Sequence, residues 1–218
     1  MIGSMELFEF DKNFNKQIVG TDEAGRGPAS GGVFAAAVAF VEPSGDLQKE
    51  LVKLNDSKKL SRKNREELYS VIKEKTINEV VCVEVFEIEK FNILNSSLKA
   101  MRLACEVVIS KLASNEPILT LVDGNKLIKN YNYDQQFVIK GDAKSASIAA
   151  ASILAKVERD WYMDKLDVEF PAYNWRKNAG YLTKQHIEAI QKFGVTKYHR
   201  RSFLKNILGD EKQLSLFK

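Results

Sequence analysis

The order in which apolar segments change character constrains this 218-residue chain most. Gln17 to Thr21 and Gly32 to Phe40 read as strands separated by the glycine- and proline-rich turn Gly25-Arg-Gly-Pro-Ala-Ser-Gly31, which predicts an early hairpin with an elaborate connection. After Ser61, a cap by residue type, the spacing turns helical to about Lys75. Val80 to Phe86 is β-branched and strand-like, Asn92 to Leu112 is helical, and Ile118 to Val122 is a buried strand entering a turn at Asp123-Gly124. Phe137 to Ile139 adds a short strand. Helices dominate the end: an alanine-rich one from Ser145 to about Leu166, and another from Thr183, its cap, to Phe193. Strands first, alternation next and helices last define an α/β class with a mixed sheet. With 44% hydrophobic residues the chain can bury one core, so a single domain over residues 1–218 is expected, with a helical part at about 165–210 and a short tail at 211–218.

Composition excludes several classes. The two cysteines, Cys82 and Cys105, lie in apolar stretches outside any metal-ligand spacing, which argues against a disulfide framework or structural zinc and fits a reducing, cytoplasmic setting. No segment approaches the roughly 18 uninterrupted apolar residues of a membrane span, and Met1 to Phe10 carries acids where a signal peptide would be basic, so a soluble protein is expected. Met1 to Ser4, ahead of Met5, are left out of the fold reading. The net charge of +4 is small, but its distribution is uneven. Arg176, Lys177, Lys184, Lys192, Lys197, Arg200, Arg201 and Lys205 interleave with Tyr173, Trp175, Tyr181, Phe193, Tyr198 and Phe203, opposed only by Glu188. Such a mixture suits phosphates and stacked bases; a solvated helical region whose aromatics form core explains it equally well.

Four acids stand at the ends of elements: Asp22 and Glu23 after the first strand, Asp123 after another, and Asp142 before the alanine-rich helix. Each alone has an ordinary explanation as a turn or helix-start residue. Brought together they would be the usual materials for holding Mg²⁺ or Mn²⁺, and two such ions can serve phosphodiester hydrolysis; only such a joint placement favours a metal site over the ordinary explanations. The Gly25-Arg26-Gly27 loop would let backbone amides approach a sugar or phosphate closely. A dinucleotide fold fits poorly, because G-x-G-x-x-G is absent and a second strand replaces the phosphate-binding helix. Asp56-Ser-Lys-Lys-Leu60 could seat a phosphate or simply be a solvated helix entry.

Gly20-Thr-Asp-Glu-Ala-Gly-Arg-Gly-Pro28, Asn55-Asp-Ser-Lys-Lys-Leu-Ser61, Val122-Asp-Gly124 and the run from Lys140 to Val157 closely resemble ribonuclease HII, as do Gly180-Tyr-Leu-Thr-Lys184 and His199-Arg-Arg-Ser-Phe203. The segments follow the family's order and span Gly20 to Phe203. The resemblance implies a ribonuclease H-like fold, a central mixed β-sheet flanked by helices with a helical C-terminal extension. It also implies a site of Asp22, Glu23, Asp123 and Asp142 as catalytic residues and metal ligands for Mn²⁺ or Mg²⁺, two ions being expected with substrate. It places Gly25, Arg26 and Gly27 at the 2′-hydroxyl of the RNA–DNA junction, Tyr181 on the following deoxyribose and Lys58 near the scissile phosphate; recognising that hydroxyl separates RNA from DNA. The related ribonuclease HIII type lacks Arg-Gly-Pro after the acidic pair and carries an extra N-terminal domain. Thr21, Ala29 to Gly32 and Leu182 depart from usual family residues, and none is a proposed ligand.

The implied activity is endonucleolytic cleavage of the RNA strand of RNA–DNA hybrids, and 5′ to single ribonucleotides in duplex DNA, leaving 3′-hydroxyl and 5′-phosphate ends. A nucleic-acid-binding protein with a non-productive site is the alternative. The expected partners are RNA–DNA hybrid and ribonucleotide-containing duplex DNA, without a membrane, and a monomer is expected. Gln213, Leu214, Ser215, Leu216 and Phe217 resemble the peptide by which bacterial proteins bind the sliding clamp; an amphipathic end docking on its own domain is the alternative.

Overall fold

The computed structural model describes residues 4–41, 43–54, 57, 60–113 and 116–208. Its centre is a five-stranded sheet in the order β3-β2-β1-β4-β5, formed by β1 (Gln17–Ala24), β2 (Val33–Ala39), β3 (Ile77–Val83), β4 (Ile118–Asp123) and β5 (Gln135–Val138). β1 pairs antiparallel with β2, and β2 with β3, whereas β1–β4 and β4–β5 are parallel. The mixed sheet and the early hairpin thus match the sequence-based expectation. Around it lie α1 (Ser4–Lys12), α2 (Gly45–Glu50), α3 (Arg62–Lys75), α4 (Val85–Phe91), α5 (Ile93–Lys111), α6 (Ala146–Glu169), α7 (Trp175–Asn178), α8 (Lys184–Phe193) and α9 (Lys205–Leu208). Among the described residues no helix is long and apolar enough to cross a membrane.

The period-2 alternation of a strand explains why β2 is buried throughout. Ala36 and Val38 face a core shared with Ile72 of α3 and Ala150, Ile153 and Leu154 of α6, while Ala35, Ala37 and Ala39 face Met101, Ala104 and Val108 of α5. Small side chains on both sides bring α6 onto the sheet. The approach is closest at Gly20, where a Cβ would lie 2.3 Å from the Ser147 carbonyl carbon and 2.4 Å from the Ile148 nitrogen. The start of α6 is fixed from outside by Asp11 of α1, whose carboxylate accepts from the Ser147 N–H (2.9 Å) and hydroxyl (2.8 Å).

Side-chain caps stand where the residue types place them. Ser61 accepts from the Asn64 N–H, Ser145 from Ile148 and Thr183 from His186, each near 3.2 or 3.3 Å. Two features differ most from the reading of the sequence: α1 has no counterpart in it, and β3 is shifted toward the N-terminus. The strand expected over Val80 to Phe86 ends at Val83, and Val85–Phe91 is helical. Its N-cap, Glu84, makes no side-chain cap bond, so no local signal marks the change. A separate C-terminal cluster gathers Met163 and Leu166 of α6 with Ala29, Tyr173, Trp175, Ala189, Ile190 and Leu204.

Candidate active site

Register brings two of the acids together. Thr21 of β1 pairs with Val122 of the parallel β4, so Asp22 and Asp123 follow at the same end of adjacent strands. Asp22 is 6% exposed. Its Oδ1 accepts the Glu23 N–H at 2.7 Å, and the Ser152 hydroxyl of α6 also bonds its carboxylate. Ser152 in turn lies 2.8 Å from the Ser57 hydroxyl, which ties Ser57 to the site. Asp123 accepts the Gly141 N–H at 2.7 Å, which anchors the one-turn 3₁₀ helix Gly141–Ala143 carrying the buried Asp142. Glu23 is held by Arg26 at 3.2 Å.

Burial, reinforced by the charges of Glu23 and then Asp123, raises the Asp22 carboxyl well above the usual carboxylate range; the Ser152 and Glu23 hydrogen bonds offset only part of this. Among the described residues, no three carboxylate, imidazole or thiol groups have closed into a metal-holding arrangement. The donor set nevertheless suits a hard divalent cation. Asp22 is a buried carboxylate pressed by two others, and a cation would relieve that repulsion once Glu23 and Asp123 turn from Arg26 and Gly141 toward it. Thiol chemistry is disfavoured. Both cysteines are free, and burial pushes both thiols up, Cys105 to about 12.

The glycine–arginine–glycine loop lies beside Tyr181. Gly25 has φ +102°, which an L side chain rarely adopts, and a Cβ on Gly27 would sit 3.2 Å from Tyr181 Cε1. Tyr181 is 54% exposed. Its backbone is carried by the turn through Gly180, whose carbonyl accepts the Ala29 N–H at 2.9 Å. Lys58 and the segment Gln213 to Phe217 lie outside the described residues.

The basic and aromatic stretch divides in two. Tyr173, Trp175 and Arg200 are buried and belong to the C-terminal core, not to a nucleic-acid surface, while Tyr181 and Phe193 are exposed. Acids from α6 also answer part of the positive charge: Arg176 Nε lies 3.6 Å from Asp164 and 3.9 Å from Asp167. Sequence reasoning offered the Ser57 segment only as a phosphate seat, and gave no individual role to Ser152, to the buried Arg159 or to the His186–His199 pair. Their signal is long-range contact, which no local pattern carries.

A family profile described as ribonuclease HII matches residues 19–206. The chain belongs to the ribonuclease HII family. It is 48% identical over 188 residues to the ribonuclease HII of Pelagibacter ubique, covering 86% of this chain and 96% of that protein. Among solved structures, it is similar to a chain in the PCNA:RNase HII complex from Archaeoglobus fulgidus, with a TM-score of 0.65 and 25% identity over 84% of this chain and 93% of that one. It also shares the fold of Bst RNase HIII in complex with Mn²⁺, with a TM-score of 0.70 and 15% identity, covering 99% of this chain and 72% of that one. Membership of the family makes the protein an endoribonuclease, a hydrolase acting on the RNA strand of RNA–DNA hybrids.

Proposed function

We propose that this member of the family cuts on the 5′ side of ribonucleotides, including single ones embedded in duplex DNA, at a site formed by Asp22, Glu23, Asp123 and Asp142. The observation that carries the reading is Asp22, a carboxylate at a strand end that burial, reinforced by Glu23 and Asp123, pushes toward protonation. Such a cluster is costly without a cation and useful with one. Two divalent ions, Mn²⁺ or Mg²⁺, would supply an activated water and charge stabilisation for phosphodiester hydrolysis, giving 3′-hydroxyl and 5′-phosphate ends. The Mn²⁺ bound by the similarly folded Bst RNase HIII supports the choice of ion.

In this reading the chain's own residues divide the work. Asp22, Glu23, Asp123 and Asp142 hold the ions. The backbone of Gly25 and Gly27 and the side chain of Arg26 read the 2′-hydroxyl side of the junction, Tyr181 packs on the following deoxyribose, and Lys58 approaches the scissile phosphate. The protein works as a monomeric single-domain enzyme in the cytoplasm, removing misincorporated ribonucleotides and RNA primers. Gln213 to Phe217 dock on a bacterial sliding clamp; the relative from Archaeoglobus fulgidus was solved with PCNA, which supports a clamp as partner. The four substitutions Asp22→Asn, Glu23→Gln, Asp123→Asn and Asp142→Asn test the site. Each is expected to remove most hydrolysis of an RNA–DNA hybrid while leaving thermal unfolding cooperative. Near-normal turnover by Asp123→Asn at saturating Mg²⁺ would sink the assignment.

A further inference from the structure

Two buried guanidinium groups lie under the loop that joins β1 to β2, and among the described residues their side chains donate hydrogen bonds only to backbone carbonyls. Arg200 is 0% exposed. It donates from Nε to Gly31 (2.8 Å), from Nη1 to Pro28 (2.8 Å) and Arg26 (3.3 Å), and from Nη2 to Gly32 (3.1 Å). Arg159 Nη2 donates to Ser30 (3.2 Å) and Ala179 (3.1 Å), while its buried Nε has no partner among the described residues. Burial of two like charges without hydrogen-bonded carboxylates is costly. Burial, then the Arg159 charge, push Arg200 down to about 9, still protonated at neutral pH, where only a cationic planar fork serves four carbonyls at once.

The cost is concentrated at one place. Carbonyls of Arg26, Pro28, Ser30, Gly31 and Gly32 are drawn inward, which fixes the five peptide planes they belong to. The facing wall is held by the same core. His186 Nδ1 bonds the Tyr181 carbonyl at 2.9 Å, its Nε2 accepts from Trp175 at 3.0 Å, and the neighbouring His199 forms a bridge with Ser30. Gly31 and Arg200 close the frame through N–H bonds to Tyr198 and Ala29, both 2.8 Å.

We propose that Arg200, assisted by Arg159, is a positioning residue for substrate recognition: through the loop carbonyls it sets the gap between Gly27 and Tyr181 and the direction in which Arg26 leaves the loop. The inference rests on reading Gly25 to Gly27 and Tyr181 as substrate contacts.

A double-mutant cycle tests it, with kcat/KM for a duplex carrying one ribonucleotide measured for Arg26→Ala, Arg200→Lys and the pair. Lysine keeps the charge but replaces the fork with a single ammonium. Arg200→Lys is expected to lower kcat/KM about tenfold in the wild-type background and less than about threefold when Arg26 is already alanine, because residues acting through one another are not additive. An equal loss in both backgrounds, or none in either, overturns the proposal. Arg26→Ala alone decides the underlying reading: if it cleaves like wild type, the loop is no substrate contact and the inference falls with it. If thermal unfolding shows that Arg200→Lys does not fold, Arg159→Lys runs the same cycle at two carbonyl bonds instead of four, with the same expected and overturning results.

Discussion

Replacing Asp22 by asparagine should make the metal-free protein more stable while removing its activity. Asparagine has the same shape, and its amide oxygen can still accept the Glu23 N–H that now bonds Asp22 Oδ1. The like charges of Glu23 and Asp123 no longer meet a carboxylate. Asp123 stands on the adjacent strand, and at the strand spacing of about 5 Å and an effective dielectric of about 20 its charge alone repels that of Asp22 by about 3 kcal/mol. Protonation limits the total, because the folded protein can neutralise Asp22 at pH 7 for about 4 kcal/mol relative to an ordinary carboxyl. Arg26 already offsets part of the Glu23 charge, so a net gain of about 2 kcal/mol is expected, a rise in Tm of roughly 4–8 °C. The Asp22 carboxyl is raised on folding, so its penalty grows as pH climbs above the ordinary value of 3.8 and vanishes below it. The gap between variant and wild type should therefore close as pH falls toward 4. Differential scanning calorimetry in chelator, at pH 7 and pH 4, measures both effects. A variant less stable than wild type at pH 7, or a gain that persists undiminished at pH 4, would refute the electrostatic account.

Gly20→Ala should lower Tm by roughly 6–12 °C, since its Cβ would overlap the backbone at Ser147 and Ile148 and displacing α6 costs about 3 kcal/mol; an unchanged melting curve would contradict that packing. Burial pushes His199 down to about 3 and lowers His186, so the unfolded chain takes up protons first and stability is lost as pH falls below about 6.5. Urea midpoints at pH 7 and pH 5 should show about 2 kcal/mol lost through His199, and His199→Gln should flatten that slope; an unaltered slope removes the histidine from the explanation. Deleting Gln213 to Lys218 should abolish clamp association and leave hydrolysis of a short duplex unchanged, read by titrating a labelled tail peptide with clamp and repeating with Leu216 and Phe217 changed to alanine. Equal binding by the altered peptide would drop the clamp as a partner.

Much of the fold was legible because its signals are local. Caps at Ser61 and Thr183, the alanine run of α6 after Ser145 and the buried run of β4 each announce an element within a few residues. The acids were legible as candidates for the same reason, standing where strands end. Their mutual placement was not, since it follows from the parallel pairing of strands about a hundred positions apart. Arg200 shows the limit most plainly: beside Arg201 and Lys197 it reads as one more surface cation, yet the carbonyls that bury it lie 168 to 174 residues earlier. The N-terminal helix was missed because the docking of Asp11, Leu7 and Phe8 has no periodic or capping signature of its own.

The most direct test of the central claim is cleavage of a DNA duplex carrying one ribonucleotide, assayed with Mg²⁺, with Mn²⁺ and with chelator, with the ends of the products identified. The account predicts turnover only with a divalent ion, a single cut on the 5′ side of the ribonucleotide, and a 3′-hydroxyl facing a 5′-phosphate. Cleavage in chelator, or tight binding of the duplex without any cut when both ions are supplied, would contradict it.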